Sequence, residues 1–171
     1  MSNTAVTVND LFEQAIGLEK AMEALYQEFE KMFAPYPEAA HFWHHYADEE
    51  NGHAAYLERI KAKVDPRRLS QRADGDMLIK AREAMETMSA AKLARINTLE
   101  DACNLAIELE NSETNTIFEF MIMSFSADEL AKSQKFLRTQ LSIHIAKLEK
   151  EFPNPYRSRA AQKSVPALPK S

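Results

Sequence analysis

The sequence predicts an all-α protein, a four-helix bundle with a long crossover between its two helix pairs. Three observations predict it. Glycine is scarce at 3 of 171 residues, 45% of residues are hydrophobic, and no run of alternating β-branched residues is long enough for a strand. Four long segments carry seam residues at alternating spacings of three and four, the period of a helix face turned to a core. The first two segments also align with the last two at one constant offset.

The elements follow in order. Residues 1–7 read as disordered. Thr7-Val-Asn-Asp10 is a helix-start signature, and the first helix spans about 8–34 with seam positions Phe12, Ala15, Glu19, Met22, Tyr26 and Phe29. Pro35-Tyr-Pro37 breaks it, and Pro37 suits the first turn of the second helix, 37–64, which stops at Asp65-Pro66. Its seam reads Tyr46, Glu50, His53, Leu57 and Ile60. Residues 65–97 form the crossover: loop from Arg67 to Asp76 with a turn signal at Asp74-Gly75-Asp76, then an accessory helix within Met77–Arg95. Thr98-Leu-Glu-Asp101 caps the third helix, 99–125, with Cys103, Ala106, Glu110, Glu113, Ile117, Phe120 and Ser124 on its seam. Ser126-Ala-Asp-Glu129 is a capping box for the fourth, 127–152, whose seam includes Gln134, Leu137, Leu141, His144 and Leu148 and which Pro153 ends. Residues 1–152 thus make one domain. Residues 153–171, with four prolines and no periodicity, read as a disordered basic tail.

The formal net charge is -5, which argues against a nucleic-acid partner. The tail carries Arg157, Arg159, Lys163 and Lys170 and no acid, leaving -9 on the helical domain, an excess that attracts cations. Cys103 is the sole cysteine, so no disulfide framework, zinc ribbon or thiolate iron site forms within one chain. With no signal-peptide pattern and no membrane-length apolar run, the expectation is a cytoplasmic protein without a membrane partner.

Glu50 and His53 carry the chemistry. Three residues apart on a helix, they present a carboxylate and an imidazole on one face, a donor pair suited to iron, manganese or zinc. Both lie on the seam, where an uncompensated carboxylate is costly. The repeat reinforces them. Ala15-Ile-Gly-Leu-Glu19 aligns with Ala106-Ile-Glu-Leu-Glu110, and His53-Ala-Ala-Tyr-Leu-Glu58 with His144-Ile-Ala-Lys-Leu-Glu149, both at an offset of 91 residues. A pseudo-two-fold bundle would gather Glu19, Glu50, His53, Glu110 and His144 at mid-length. The remaining polar candidates read as ordinary surface: Glu23 one turn from Glu19, and His41, His44 and His45 with Trp43 early in the second helix. The methionines read as core filler.

This pattern resembles the rubrerythrin branch of the ferritin-like superfamily, over helices 8–34, 37–64, 99–125 and 127–152. In that family each half supplies a Glu on its first helix and a Glu-x-x-His on its second, and the set binds two iron ions. Glu19, Glu50, His53, Glu110 and His144 match these positions. Glu113 matches an extra glutamate three residues past the third-helix ligand, and Tyr26 a tyrosine near the metals. The resemblance implies a dinuclear iron oxidoreductase of peroxidase or ferroxidase type, with manganese or zinc as alternative metals. Its expected partners are peroxide or oxygen, an external electron donor such as rubredoxin, and a second copy in a homodimer. Glu50 would bridge, Glu19 and Glu110 would be terminal, Glu113 terminal or mobile, and Tyr26 would hydrogen-bond near the site or pass an electron.

Two departures qualify it. Leu141 stands where the family has a bridging Glu, and the four-cysteine rubredoxin domain is absent. Gln140, one turn before His144, is a poor substitute bridge because its amide is neutral. Two alternatives stay open: a degenerate bundle that binds or stores metal without turnover, and an enzyme of manganese-catalase or hydroxylase type.

Overall fold

The computed structural model describes residues 6–73, 75–87, 93–125, 146–148 and 150. Five helices lie among them: α1 Val8–Met32, α2 Pro37–Lys61, α3 Pro66–Leu69, α4 Asp76–Thr87 and α5 Leu99–Ser124. The protein is mostly helical, and no strand occurs among the described residues. The fourth expected long helix, 127–152, falls largely outside them; residues 146–148 and 150 are helical.

Local chemistry explains the helix ends. Thr7 caps α1 in a reciprocal box: the Asp10 amide donates to Thr7 Oγ1 at 3.3 Å and the Thr7 amide donates to Asp10 Oδ2 at 2.9 Å. The same exchange starts α5, with 3.1 Å from the Asp101 amide to Thr98 Oγ1 and 2.9 Å from the Thr98 amide to Asp101 Oδ2. Pro37 opens α2 at a position where its missing N–H costs nothing.

The crossover holds two departures from the sequence expectation. Residues 66–69, read as loop after Pro66, form a helical turn. Asp65 accepts from the Arg67 amide at 2.7 Å, and Pro66 presets the first helical φ. Val6 and Thr7, read as part of a disordered start, are pinned to the crossover. The Val8 amide donates to Gln71 O at 3.0 Å and the Ala73 amide to Val6 O at 2.8 Å. This pairing of residues 6–8 with 71–73 was invisible in the local sequence because its partners are more than sixty positions apart.

α1 and α2 pack antiparallel along their full length. Outer-edge pairs run in opposite order: Glu13 with Lys61, Lys20 with Glu58 at 2.6 Å, and Glu30 with His44 at 3.2 Å. The pairs are exposed for the most part, so they set register more than they stabilise. α5 closes the first end of the hairpin, and Lys147 reaches Glu49 of α2 at 2.9 Å.

The core divides in two. One cluster joins Met22 to Phe29 of α1, Phe33 just past its end, Ala39 to Ala47 of α2, Leu99 to Leu109 of α5, and Leu148. The other joins Val8 to Ile16 of α1 with Leu57 of α2, and Leu69, Leu78 and Phe125 pack on it. Between them, on α1 and α2 alike, lies a layer of buried polar residues.

Candidate metal centre

The buried charged residues of the described structure are four: Glu19 (0% exposed), Glu50 (1%), His53 (4%) and Glu110 (1%). Each sits in the gap between the two apolar clusters. Glu19 follows Ile16 and precedes Met22; Glu50 and His53 fall between Ala47 and Leu57; Glu110 follows Leu109. Their seam positions come from the 3.6-residue period of helices whose apolar neighbours are already committed to the core. The helices bring the polar residues into the layer together.

Glu19, Glu50 and His53 form a compact group in which one ligand atom from each lies within 4.8 Å of the others. His53 Nδ1 is 2.9 Å from Glu50 Oε2 and 3.3 Å from Glu19 Oε2. A single ring nitrogen carries at most one hydrogen, so it cannot serve both carboxylates fully. Neither oxygen of Glu19 accepts a hydrogen bond among the described residues, although the side chain is fully buried. Glu110 is held from α1: Tyr26 Oη donates to Glu110 Oε1 at 2.5 Å, a charge-assisted hydrogen bond within the core.

This arrangement fits a cation. No lysine or arginine is buried among the described residues, and within this group one imidazole faces two carboxylates. Burying an ion costs several kcal/mol unless an opposite charge meets it. A divalent ion between Glu19, Glu50 and His53 would supply that charge, and carboxylate with imidazole is a donor set for iron, manganese or zinc. The group can hold a metal ion; the identity of the metal is not a property of these three side chains.

The sequence placed Glu19, Glu50, His53, Glu110 and Tyr26 on seams, and all five are buried. It also expected Glu113 and His144 in the set, and Leu141 opposite them. The Glu113 side chain and the whole of Leu141 and His144 lie outside the described residues. His44 and His45 are exposed and engage Glu30, Asp48 and Glu49, as expected of surface.

Trp43 is a correction. Grouped with those histidines as surface, it is instead fully buried and lies against Tyr26, Phe29, Phe42 and Tyr46. The missed signal was the seam itself: one step of three back from Tyr46 lands on Trp43.

No family model, curated protein or solved structure matches the chain. No helix of the described residues is long and apolar enough to cross a membrane.

Proposed function

We propose that this chain is a ferritin-like metal protein of rubrerythrin type that reacts peroxide or oxygen at a dinuclear iron centre with an external reductant. The observation that carries the reading is the buried polar layer. Three carboxylates and an imidazole from three helices are sealed between two apolar clusters with no buried lysine or arginine among the described residues. Ordinary core packing gives no reason to bury such a set, whereas metal ligation does.

The chain's own residues have distinct parts in this proposal. Glu19, Glu50 and His53 would bind one ion, while Glu110, with Glu113 and His144, would complete the second position. Tyr26 orients Glu110 through its 2.5 Å hydrogen bond. The apolar clusters on either side limit water at the site. Iron there would supply one-electron chemistry toward peroxide or oxygen.

A second reading follows from the same geometry. The described group offers three protein donors, enough for one ion, so a mononuclear site that stores or senses metal without turnover is the alternative. Elemental analysis of protein purified from native-like metal supply, with its absorption spectrum, separates the two. Two irons per chain and peroxide consumption that needs added reductant support the proposal. One metal without turnover supports the alternative. Peroxide disproportionation with no donor would point instead to catalase-type chemistry, and a metal-free protein that rejects Fe(II) and Mn(II) would refute both.

A further inference from the structure

The outer face of α2 carries His41, His44 and His45, all exposed. His41, His45 and Glu49 follow one another at intervals of four, which lines them along one edge of the helix a turn apart. His44 belongs to a different contact. Its Nδ1 lies 3.2 Å from Glu30 of α1 and its Nε2 3.6 Å from Asp48, so both ring nitrogens already face carboxylates and the ring ties α2 to α1. His45 presents Nε2 to Glu49 Oε1 at 3.3 Å.

Two features set the His41–His45–Glu49 edge apart from ordinary surface pairing. Glu49 already has a permanent cation, with Lys147 Nζ 2.9 Å from the same Oε1, so charge pairing does not call for a histidine there. A separation of 3.3 Å between His45 and Glu49 is also long for a charge-assisted hydrogen bond, which runs about 2.7–2.9 Å. It matches the edge of a tetrahedral zinc site, where bonds of about 2.0–2.1 Å set neighbouring donor atoms about 3.3 Å apart. Two histidines four apart on one helix face are the spacing at which imidazoles close on a single zinc ion. His41 is exposed, one turn before His45, and rotation of its side chain completes the set. None of these donors belongs to the buried group. Successive helical residues diverge by about 100°, so Glu49 is partly exposed while Glu50 beside it is buried in the polar layer.

We propose that His41, His45 and Glu49 form a surface site for a zinc-class divalent ion, Zn(II), Ni(II) or Cu(II), separate from the buried centre. Imidazole nitrogen selects these ions over magnesium and calcium, which take oxygen donors. Three protein donors leave a fourth tetrahedral position to water or to a donor from another molecule. Lys147 is the competitor. An ion and an ammonium group cannot both hold Glu49 Oε1, so the ion displaces Lys147 from it.

Calorimetric titration of the chelator-treated full chain with Zn(II) tests the site. The buried group offers a similar donor set, so the titration is run in Glu19→Gln, which removes one of its carboxylates and leaves the α2 surface untouched. In that background His41→Ala and His45→Ala should each abolish the surface zinc, and Glu49→Gln should weaken it. His44→Ala should leave it in place, and Lys147→Ala should tighten it. All five side chains are exposed or partly exposed, so these variants should fold, which circular dichroism checks. With Cu(II) in the same background, electron paramagnetic resonance should show coupling to two imidazole nitrogens, a pattern lost in His45→Ala. Zinc uptake that disappears with Glu19→Gln alone would assign the ion to the buried group and overturn the proposal. So would uptake undiminished by His41→Ala and His45→Ala together, or uptake lost in His44→Ala. The surface site and the buried centre thus stand or fall separately.

Discussion

Two substitutions at neighbouring ligands should move the stability of the metal-free protein in opposite directions. Glu19 and Glu50 share His53, with one ligand atom from each of the three inside 4.8 Å. Two unit negative charges no more than 4.8 Å apart repel by at least about 3.5 kcal/mol at an effective dielectric of about 20. Glu19→Gln keeps the shape, removes that repulsion, and leaves Glu50 and His53 as a balanced pair at 2.9 Å. It also gives up the attraction of the longer 3.3 Å contact with His53, so part of the gain is cancelled. The net expectation is a metal-free protein more stable by about 2 kcal/mol, a rise of roughly 4–8 °C in Tm for a chain of this size. His53→Ala does the reverse. It removes the one buried group among the described residues able to carry positive charge and brings the two carboxylates face to face, with a loss of about 3 kcal/mol or more. The assay is thermal unfolding followed by circular dichroism in chelator, with Fe(II) or Mn(II) titrations alongside. Both variants should lose metal affinity, and added metal should raise Tm in the wild type alone. The reasoning fails if Glu19→Gln destabilises the metal-free protein as much as His53→Ala does. Glu19 would then be stabilised in its charged form by the protein itself, and no cation would be needed to explain its burial.

Further outcomes can be stated. On the proposed rubrerythrin-type reading, in which Leu141 stands where that family has a bridging carboxylate, titration with Fe(II) or Mn(II) should give one tight and one weak ion; Leu141→Glu should tighten the weak ion and Glu113→Ala nearly abolish it, whereas two equal tight sites would contradict this. Thr7→Ala should cost about 1 kcal/mol in urea unfolding through loss of the α1 cap. The backbone and side chain of Thr7 hold the Asp10 carboxyl below its ordinary value of 3.8. That contribution is therefore in place above pH 3.8, is lost as pH falls through the lower folded value, and should be visible as an Asp10 titration shifted down in NMR and only partly reversed by Thr7→Ala, which removes the side-chain hydrogen bond but keeps the larger backbone one. Leu57→Ala, in the smaller cluster under the site, should cost about 2–5 kcal/mol by denaturant unfolding.

The helices themselves were legible in the sequence. Seam spacing, the two Thr-x-x-Asp caps and the proline breaks depend on residues within one or two turns of each other, so a local pattern carries them. The same period placed Glu19, Tyr26, Glu50, His53 and Glu110 on inward faces, because the apolar residues beside them leave each helix one orientation. What remained undecided locally was which side chains meet. That Glu19 and Glu50 share one nitrogen of His53, that Tyr26 aims its hydroxyl at Glu110, and that Trp43 stacks on Tyr26 all require contacts between separate helices. The pinning of residues 6–8 to 71–73 is of the same kind. Periodicity assigns a residue to a face but says nothing of the height at which the opposing helix presents its own residues. That height follows from how α1 and α2 interlock along their whole length, and it turned four separate seam residues into one polar layer between two apolar clusters.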